Sequence, residues 1–134
     1  MANDIQKSMR VAKATYDFSV VGGAVSTLVI PGADIVPSGA IIQDLIIDCT
    51  TACTSGGAAT FAVTGGGLTL AGGTPIGVGA APFTAGTVGR VGVAGVITTG
   101  YPVQKATSSA ALKVVIGTAA ITAGVFTVYV YYTI

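Results

Sequence analysis

The chain has no histidine, no tryptophan and no glutamate, and only 8% of its 134 residues are charged. These absences exclude most side-chain chemistry. Without His, a Ser or Cys nucleophile lacks its usual general base, which leaves only a Ser–Lys dyad drawn from Ser8, Ser108 or Ser109. Paired-carboxylate hydrolysis would have to use Asp44 and Asp48, the only close pair among five Asp. On one strand face these would stand about 13 Å apart, too far for such a pair. Cys49 and Cys53 form a C-x-x-x-C with no third ligand nearby, so they make neither a zinc site nor a C-x-x-C redox motif. They read as two small apolar side chains near a strand end, with a short local disulfide as the alternative. The 20 glycines include no G-x-x-x-x-G-K-[ST] loop, and GRVGVAG lacks a strand–turn–helix setting, so the glycines read as turns and bulges. An enzyme is not expected, and neither is a metal or a cofactor.

Charge is scarce in absolute terms as well as balanced. A net charge of +1 provides no basic field, so nucleic-acid binding is not expected. Eleven charges on a domain of this size leave roughly one per several hundred Å² of surface, fewer than usually keep small proteins apart. Much of the surface is therefore expected to be covered by neighbouring subunits; a coat of Thr, Ser and Gly is the alternative. The charges are also unevenly placed, with Asp4, Lys7, Arg10, Lys13 and Asp17 near the start and none between Cys49 and Gly89 or after Lys113. The opening MANDIQKSMRVAKATYDF is not a secretory signal. The charge-free ending is broken by Gly117, Gly124 and Thr residues and closes on β-branched and aromatic residues, which favours a strand over a membrane helix.

What the sequence does contain is the pattern of an all-β domain. Runs of Val, Ile, Leu, Thr and Tyr alternate between Gly and Pro clusters, and no long stretch keeps a helical period. Tyr16 to Val21 and Ala24 to Ile30 are expected to form a hairpin about Gly22–Gly23. A strand from Ala40 to Cys49 follows, with a bulge near Gln43–Asp44 where alternation falters. Further strands are expected at Thr60 to Thr64, Leu68 to Leu70, Arg90 to Thr99 and Leu112 to Ile116, and after Gly124. In that last strand Phe126, Val128, Val130, Tyr132 and Ile134 share one face, opposite Val125, Thr127, Tyr129, Tyr131 and Thr133. Residues 71–89, rich in Gly, Ala and Pro, read as a contact loop or a disordered one. Eight or nine strands with apolar residues for two inner faces predict a two-sheet β-sandwich of jelly-roll type over residues 15–134. Residues 1–14 are read as a separate N-terminal arm, either one or two helical turns carrying Ile5, Met9 and Ala12 or a frayed terminus. Tyr129, Tyr131 and Tyr132 are candidates for a subunit interface.

The segment PSGAIIQDLIIDCTTACTSGGAATFAVTGG, residues 37–66, resembles small structural proteins of tailed bacteriophage virions. The ending ITAGVFTVYVYYTI resembles the closing strand of the same group, and together the two cover about a third of the chain. Within that group the resemblance is to capsid decoration, or cement, proteins: compact β-domains that sit as trimers outside the head and brace the major capsid protein lattice. It implies a non-enzymatic virion protein made in the bacterial host cytoplasm and placed on the capsid exterior, with the major capsid protein as partner and a homotrimer as its form. Ile5, Lys7, Met9, Arg10 and Lys13 would then form a capsid-binding arm, a role assigned from their composition. A head or tail fibre module that binds host glycans is the alternative reading. A subunit joined to its neighbours by strand exchange is a third, for which the charged arm is a poor donor.

Overall fold

A computed structural model describes residues 9–70, 76–79, 83–91 and 104–134. Among these the chain runs β1 (Arg10–Asp17), α1 (Phe18–Val21), β2 (Thr27–Val29), β3 (Ile35–Val36), β4 (Ile41–Ser55), β5 (Thr60–Gly65), β6 (Leu68–Thr69), β7 (Ile76–Gly77), β8 (Thr87–Val91), β9 (Gln104–Lys105), β10 (Ala110–Ala111), β11 (Lys113–Gly117) and β12 (Ile121–Thr133). One sheet has the order β1-β12-β4-β8, with β9 also on β4; the other has the order β2-β11-β5-β6, with β7 also on β5. A two-stranded piece joins β3 to β10. The pairs in the register are antiparallel, and consecutive main strands pass from one sheet to the other. The all-β sandwich expected from the alternation is thus present.

The core lies between the sheets and follows from period-two burial. In β12, Phe126, Val128, Val130 and Tyr132 are buried; in β1, Ala12, Ala14 and Tyr16; in β4, Ile42, Leu45, Ile47, Cys49 and Cys53. From the facing sheet come Phe61, Val63, Val114 and Ile116. Four aromatic rings bind the layers together. Phe61 lies 5.5 Å from Tyr16, 5.0 Å from Phe126 and 4.8 Å from Phe83, and Tyr16 stacks on Phe126 at 5.0 Å. Edge and offset contacts at these separations add to what burial of the rings already contributes. The Tyr16 hydroxyl reaches the Gly22 carbonyl at 2.9 Å, so its polar end is satisfied.

The expected hairpin about Gly22–Gly23 does not form. Asp17 instead caps α1, its side chain accepting from the Ser19 backbone N–H at 2.9 Å, and Gly22 closes the helix at φ 75. The Gly23 carbonyl then accepts the Ile121 N–H at 2.8 Å, and the chain goes on to β2 in the second sheet. Strand β1 pairs with β12, and β2 with β11. The arm boundary moves too, since Arg10 to Ala14 belong to β1; Ala12 is a core residue of a strand, not of a helical turn.

The bulge expected near Gln43–Asp44 is present: Tyr131 faces Asp44 but Tyr132 faces Ile42, leaving Gln43 as the extra residue. Strand β4 continues past the expected end at Cys49 as far as Ser55, because its Thr-rich tail finds partners on β12. Thr54 and Thr122 hydroxyls meet at 2.8 Å, and Ser55 Oγ donates to the Ala120 carbonyl at 2.7 Å. Strand β12 likewise begins at Ile121 and absorbs Gly124 at φ 141. Strand β8 covers Thr87 to Val91, and the rest of the strand expected to Thr99 lies outside the described residues. The outer edge of β1 is engaged at one point: the Lys13 N–H donates to Asp34 Oδ2 at 2.9 Å, and the Asp34 N–H donates to the Lys13 carbonyl at 3.0 Å.

Candidate functional site

The buried chemistry is inert. Cys49 and Cys53 are both free and in the core. Burial pushes the Cys53 thiol up to about 12 and raises that of Cys49 as well, so neither is a ready nucleophile at neutral pH. Burial likewise lifts the Tyr16 hydroxyl to about 12, with smaller contributions from Cys53 and Asp17. Among the described residues no three His, Cys, Asp or Glu side chains converge as a metal site. Ser109 is engaged structurally, its hydroxyl accepting from the Ser38 N–H at 3.0 Å.

The distinctive surface is the outer face of β1, β12, β4 and β8. Strand pairing sets its side chains in rows across four strands. One row runs Lys13, Tyr129, Ile46, Arg90; the next runs Thr15, Thr127, Asp48, Val88; and a third joins Val11, Tyr131 and Asp44. Val88 is 67% exposed, Met9 54% and Val11 48%, so large apolar groups meet solvent on or beside this face. Hydroxyls between them are bonded to one another or to the chain: Thr15 to Thr127 at 3.1 Å, Gln43 Nε2 to Thr133 Oγ1 at 3.2 Å, and Thr50 Oγ1 to the Val125 carbonyl at 3.3 Å. The polar groups are thereby partly satisfied within the face, which lowers the cost of drying it against a partner.

Charge on this face divides into one ion pair and three charges outside it, Lys13, Asp17 and Asp48. Arg90 Nε lies 2.8 Å from Asp44 Oδ2, and Asp44 Oδ1 also accepts the Leu45 N–H at 2.9 Å. Lys13 and Asp48 have no ion-pair partner among the described residues. Met9, Gln43, Asp44, Ile46, Arg90 and Tyr131 line a shallow depression of about 410 Å³.

The structure brings two sets of sequence candidates together. Met9 and Lys13, read as part of the arm, stand beside Tyr131 and Tyr129, read as a subunit interface. Arg10 is exposed at the start of β1, and Ile5 and Lys7 lie outside the described residues. Tyr132 is a correction to the interface set: it is 7% exposed and packs in the core with Val130, because alternation puts it on the opposite face from Tyr129 and Tyr131. Sequence reasoning missed Ile46, Asp48, Val88 and Arg90 as neighbours of these tyrosines. The one usable signal was the outward parity of Ile46 and Asp48 after the Gln43 bulge.

No protein-family model matches the chain, and no curated protein matches it. Two solved structures share its fold. One is a chain in the acidic stable capsid structure of Helicobacter pylori bacteriophage KHP30, with TM-score 0.54 and 16% identity, covering 95% of this chain and 88% of that one. The other is a chain of the cyanophage Pam1 capsid asymmetric unit, with TM-score 0.53 and 14% identity, covering 94% of this chain and 85% of that one. At such identities the likeness establishes a shared fold over nearly the whole of each chain.

Proposed function

We propose that this chain is a structural protein of a phage head, decorating the outside of the shell by binding the major capsid protein lattice as a homotrimer. The observation that carries this reading is that the fold extends over nearly all of two chains from phage capsid structures. The scarcity of charge and the dry, hydroxyl-laced face of β1, β12, β4 and β8 support it, since both suit lasting contact with protein neighbours. The role is mechanical: repeated weak contacts, multiplied by shell symmetry, brace the lattice without catalysis or cofactor. Tyr129 and Tyr131 belong to the subunit contact, and Ile5, Lys7 and Met9, which precede β1, reach the shell together with Arg10 and Lys13 on β1 itself.

The test is co-sedimentation of purified protein with empty shells, read as copies per particle. Hundreds of copies are expected; tens would point to a fibre module, and none would overturn the reading. Because β1 starts at Arg10, removing residues 1–8 spares the sandwich and is expected to abolish shell binding. Unchanged binding by that truncation would end the role of Ile5 and Lys7.

A second reading has one observation in its favour. Tyr131, Gln43, Asp44 and Arg90 line a single depression, an aromatic ring rimmed by planar polar groups of the kind that hold sugars. Binding to host-surface glycans that Tyr131→Ala removes would favour a host-binding module over decoration.

A further inference from the structure

Strands β5 and β11 run side by side as far as the Thr64–Lys113 pair, and there they part. Strand β5 turns back into β6, while the chain preceding Lys113 goes to β3, the Leu112 N–H donating to the Asp34 carbonyl at 3.0 Å. The fork opens as a depression of about 310 Å³, walled by Lys113, Thr64, Thr69, Leu68, Ala110 and Ala111. Its two walls are fixed to each other. Gly66 and Gly67, at φ 59 and 78, make the two-residue turn between β5 and β6. The Gly66 N–H donates to the Ala110 carbonyl at 3.2 Å, and the Gly66 carbonyl accepts the Thr107 and Ser108 N–H groups at 2.9 and 3.2 Å. The shape is therefore in place before anything binds.

The lining has unused donors. Register sets Thr69, Thr64 and Lys113 in a row on the outward face of the second sheet, about 5 Å from one strand to the next. On the first sheet, cross-strand threonines bond to each other, as Thr15 does to Thr127 and Thr54 to Thr122. The hydroxyls of Thr64 and Thr69 and the ammonium of Lys113 have no such partner among the described residues. Arg10, Lys13, Asp17, Asp44, Asp48, Arg90 and Lys105 all stand on strands of the first sheet, and Asp34, between β2 and β3, accepts the Lys13 N–H. Among the described residues Lys113 is thus the single charge on the strands of the second sheet. It is partly buried, and Val29, 70% exposed, is its neighbour on β2.

We infer that this depression takes one carboxylate, from an Asp or Glu side chain of a neighbouring protein. One ammonium and two hydroxyls match the single charge and two oxygens of a carboxylate. A phosphate dianion, a nucleic-acid backbone or an anionic membrane would need more cations than this sheet has. The volume is at the lower end for a ligand pocket, which suits a side chain and not a free cofactor. Val29, Leu68, Ala110 and Ala111 around the site call for apolar residues on either side of the acid. The inference rests on the proposed function only for the identity of the partner, a shell subunit, and its contact is on the opposite sheet from Tyr129, Tyr131 and the start of β1.

The experiment uses the full chain with isotope-labelled lysine, its ε-methylene resonances followed by NMR during titration with acetyl-Val-Glu-Val-amide, the matching Gln peptide and inorganic phosphate. Lys113→Gln identifies the Lys113 signal. The Glu peptide is expected to shift that signal saturably, at least about tenfold more tightly than the Gln peptide or phosphate does, and to leave Lys13 and Lys105 unmoved. Thr64→Val and Thr69→Val, checked for folding by circular dichroism, are each expected to weaken binding at least about threefold. No saturable shift at Lys113, equal shifts at every lysine, or phosphate bound as tightly as the Glu peptide would each overturn the site. Co-sedimentation with empty shells then reports on the partner: Lys113→Gln is expected to coat them at least about tenfold more weakly than wild type, and equal coating overturns the shell as the source of the carboxylate. A wild type that coats no shells sinks the proposed function and leaves the peptide titration to decide this inference.

Discussion

Phe61 is the ring through which the two sheets meet most directly, and replacing it with Leu isolates the aromatic contribution from simple loss of volume. Phe61→Leu keeps most of the buried apolar bulk but removes three ring contacts, with Tyr16, Phe83 and Phe126, at centroid separations between 4.8 and 5.5 Å. At about 0.5–1.5 kcal/mol for each aromatic pair beyond area burial, the loss is about 2–4 kcal/mol once imperfect filling of the site is included. Phe61→Ala adds a cavity between the sheets and is expected to cost about 3–5 kcal/mol. A domain of this size has roughly 7–20 kcal/mol of stability, so the Leu variant folds while the Ala variant approaches the margin. The assay is urea unfolding followed by tyrosine fluorescence, with the midpoint read at constant m-value. A double-mutant cycle with Phe83→Leu is expected to show about 1 kcal/mol of coupling, since those two rings touch. A Phe61→Leu cost below about 0.5 kcal/mol with no coupling would refute the account of an aromatic pin between the layers.

Alkaline pH gives an independent reading of the same core. Tyr16 and Cys53 are held up at about 12, and Cys49 is raised, by burial. Folded values above the unfolded ones mean that their contribution to stability is complete below about pH 9. It declines as pH rises towards 12, by up to about 1.4 kcal/mol per pH unit for each group ionised only in the unfolded chain. Urea midpoints from pH 8 to 11 are expected to fall accordingly, and Cys53→Ala to flatten the slope; midpoints that stay level would contradict the burial of these groups. Gly124 sits at φ 141, and a Cβ there would lie 2.8 Å from the Cys53 Cα, so Gly124→Ala is expected to cost about 3 kcal/mol by urea unfolding, little of it recovered by Cys53→Ala. Thr118, a β-branched residue at φ 70, is expected to gain about 1 kcal/mol on replacement by Gly, a rise of about 3–5 °C in Tm by calorimetry.

Much of this sandwich was legible because period-two burial is a local property. The two faces of β12 and the bulge at Gln43 could be read directly from residues whose alternation either held or broke. What could not be read was which strand lies beside which. Gly22–Gly23 has the chemistry of a hairpin turn, but the same glycines suit the end of a helical turn and a close approach to Ile121, and only the distant strand decides between them. Phe83 gave no local signal at all, since it sits in a Gly-, Ala- and Pro-rich stretch and enters the core through the aromatic cluster. For the candidate face, Lys13 and Tyr129 looked like separate features because more than a hundred residues divide them in sequence. The β1–β12 register makes them neighbours. Tyr132 was assigned to an interface by its residue type, although its own parity with Phe126 already pointed inwards.

The paired hydrogen bonds between Asp34 and the backbone of Lys13 also bear on how such a protein survives being made in quantity. A chain with so little charge has few means of keeping copies from stacking strand upon strand, and β1, at one rim of its sheet, is a place where another strand could attach. By occupying both the donor and the acceptor of Lys13, a single aspartate removes one rung from that template and sets a carboxylate in the path of any strand that tries to extend it. Growth at the rim is obstructed while the broad side of the sheet stays open. A protein neighbour that settles on the broad side makes a contact that is complete once formed, whereas pairing along an edge runs on into a fibre.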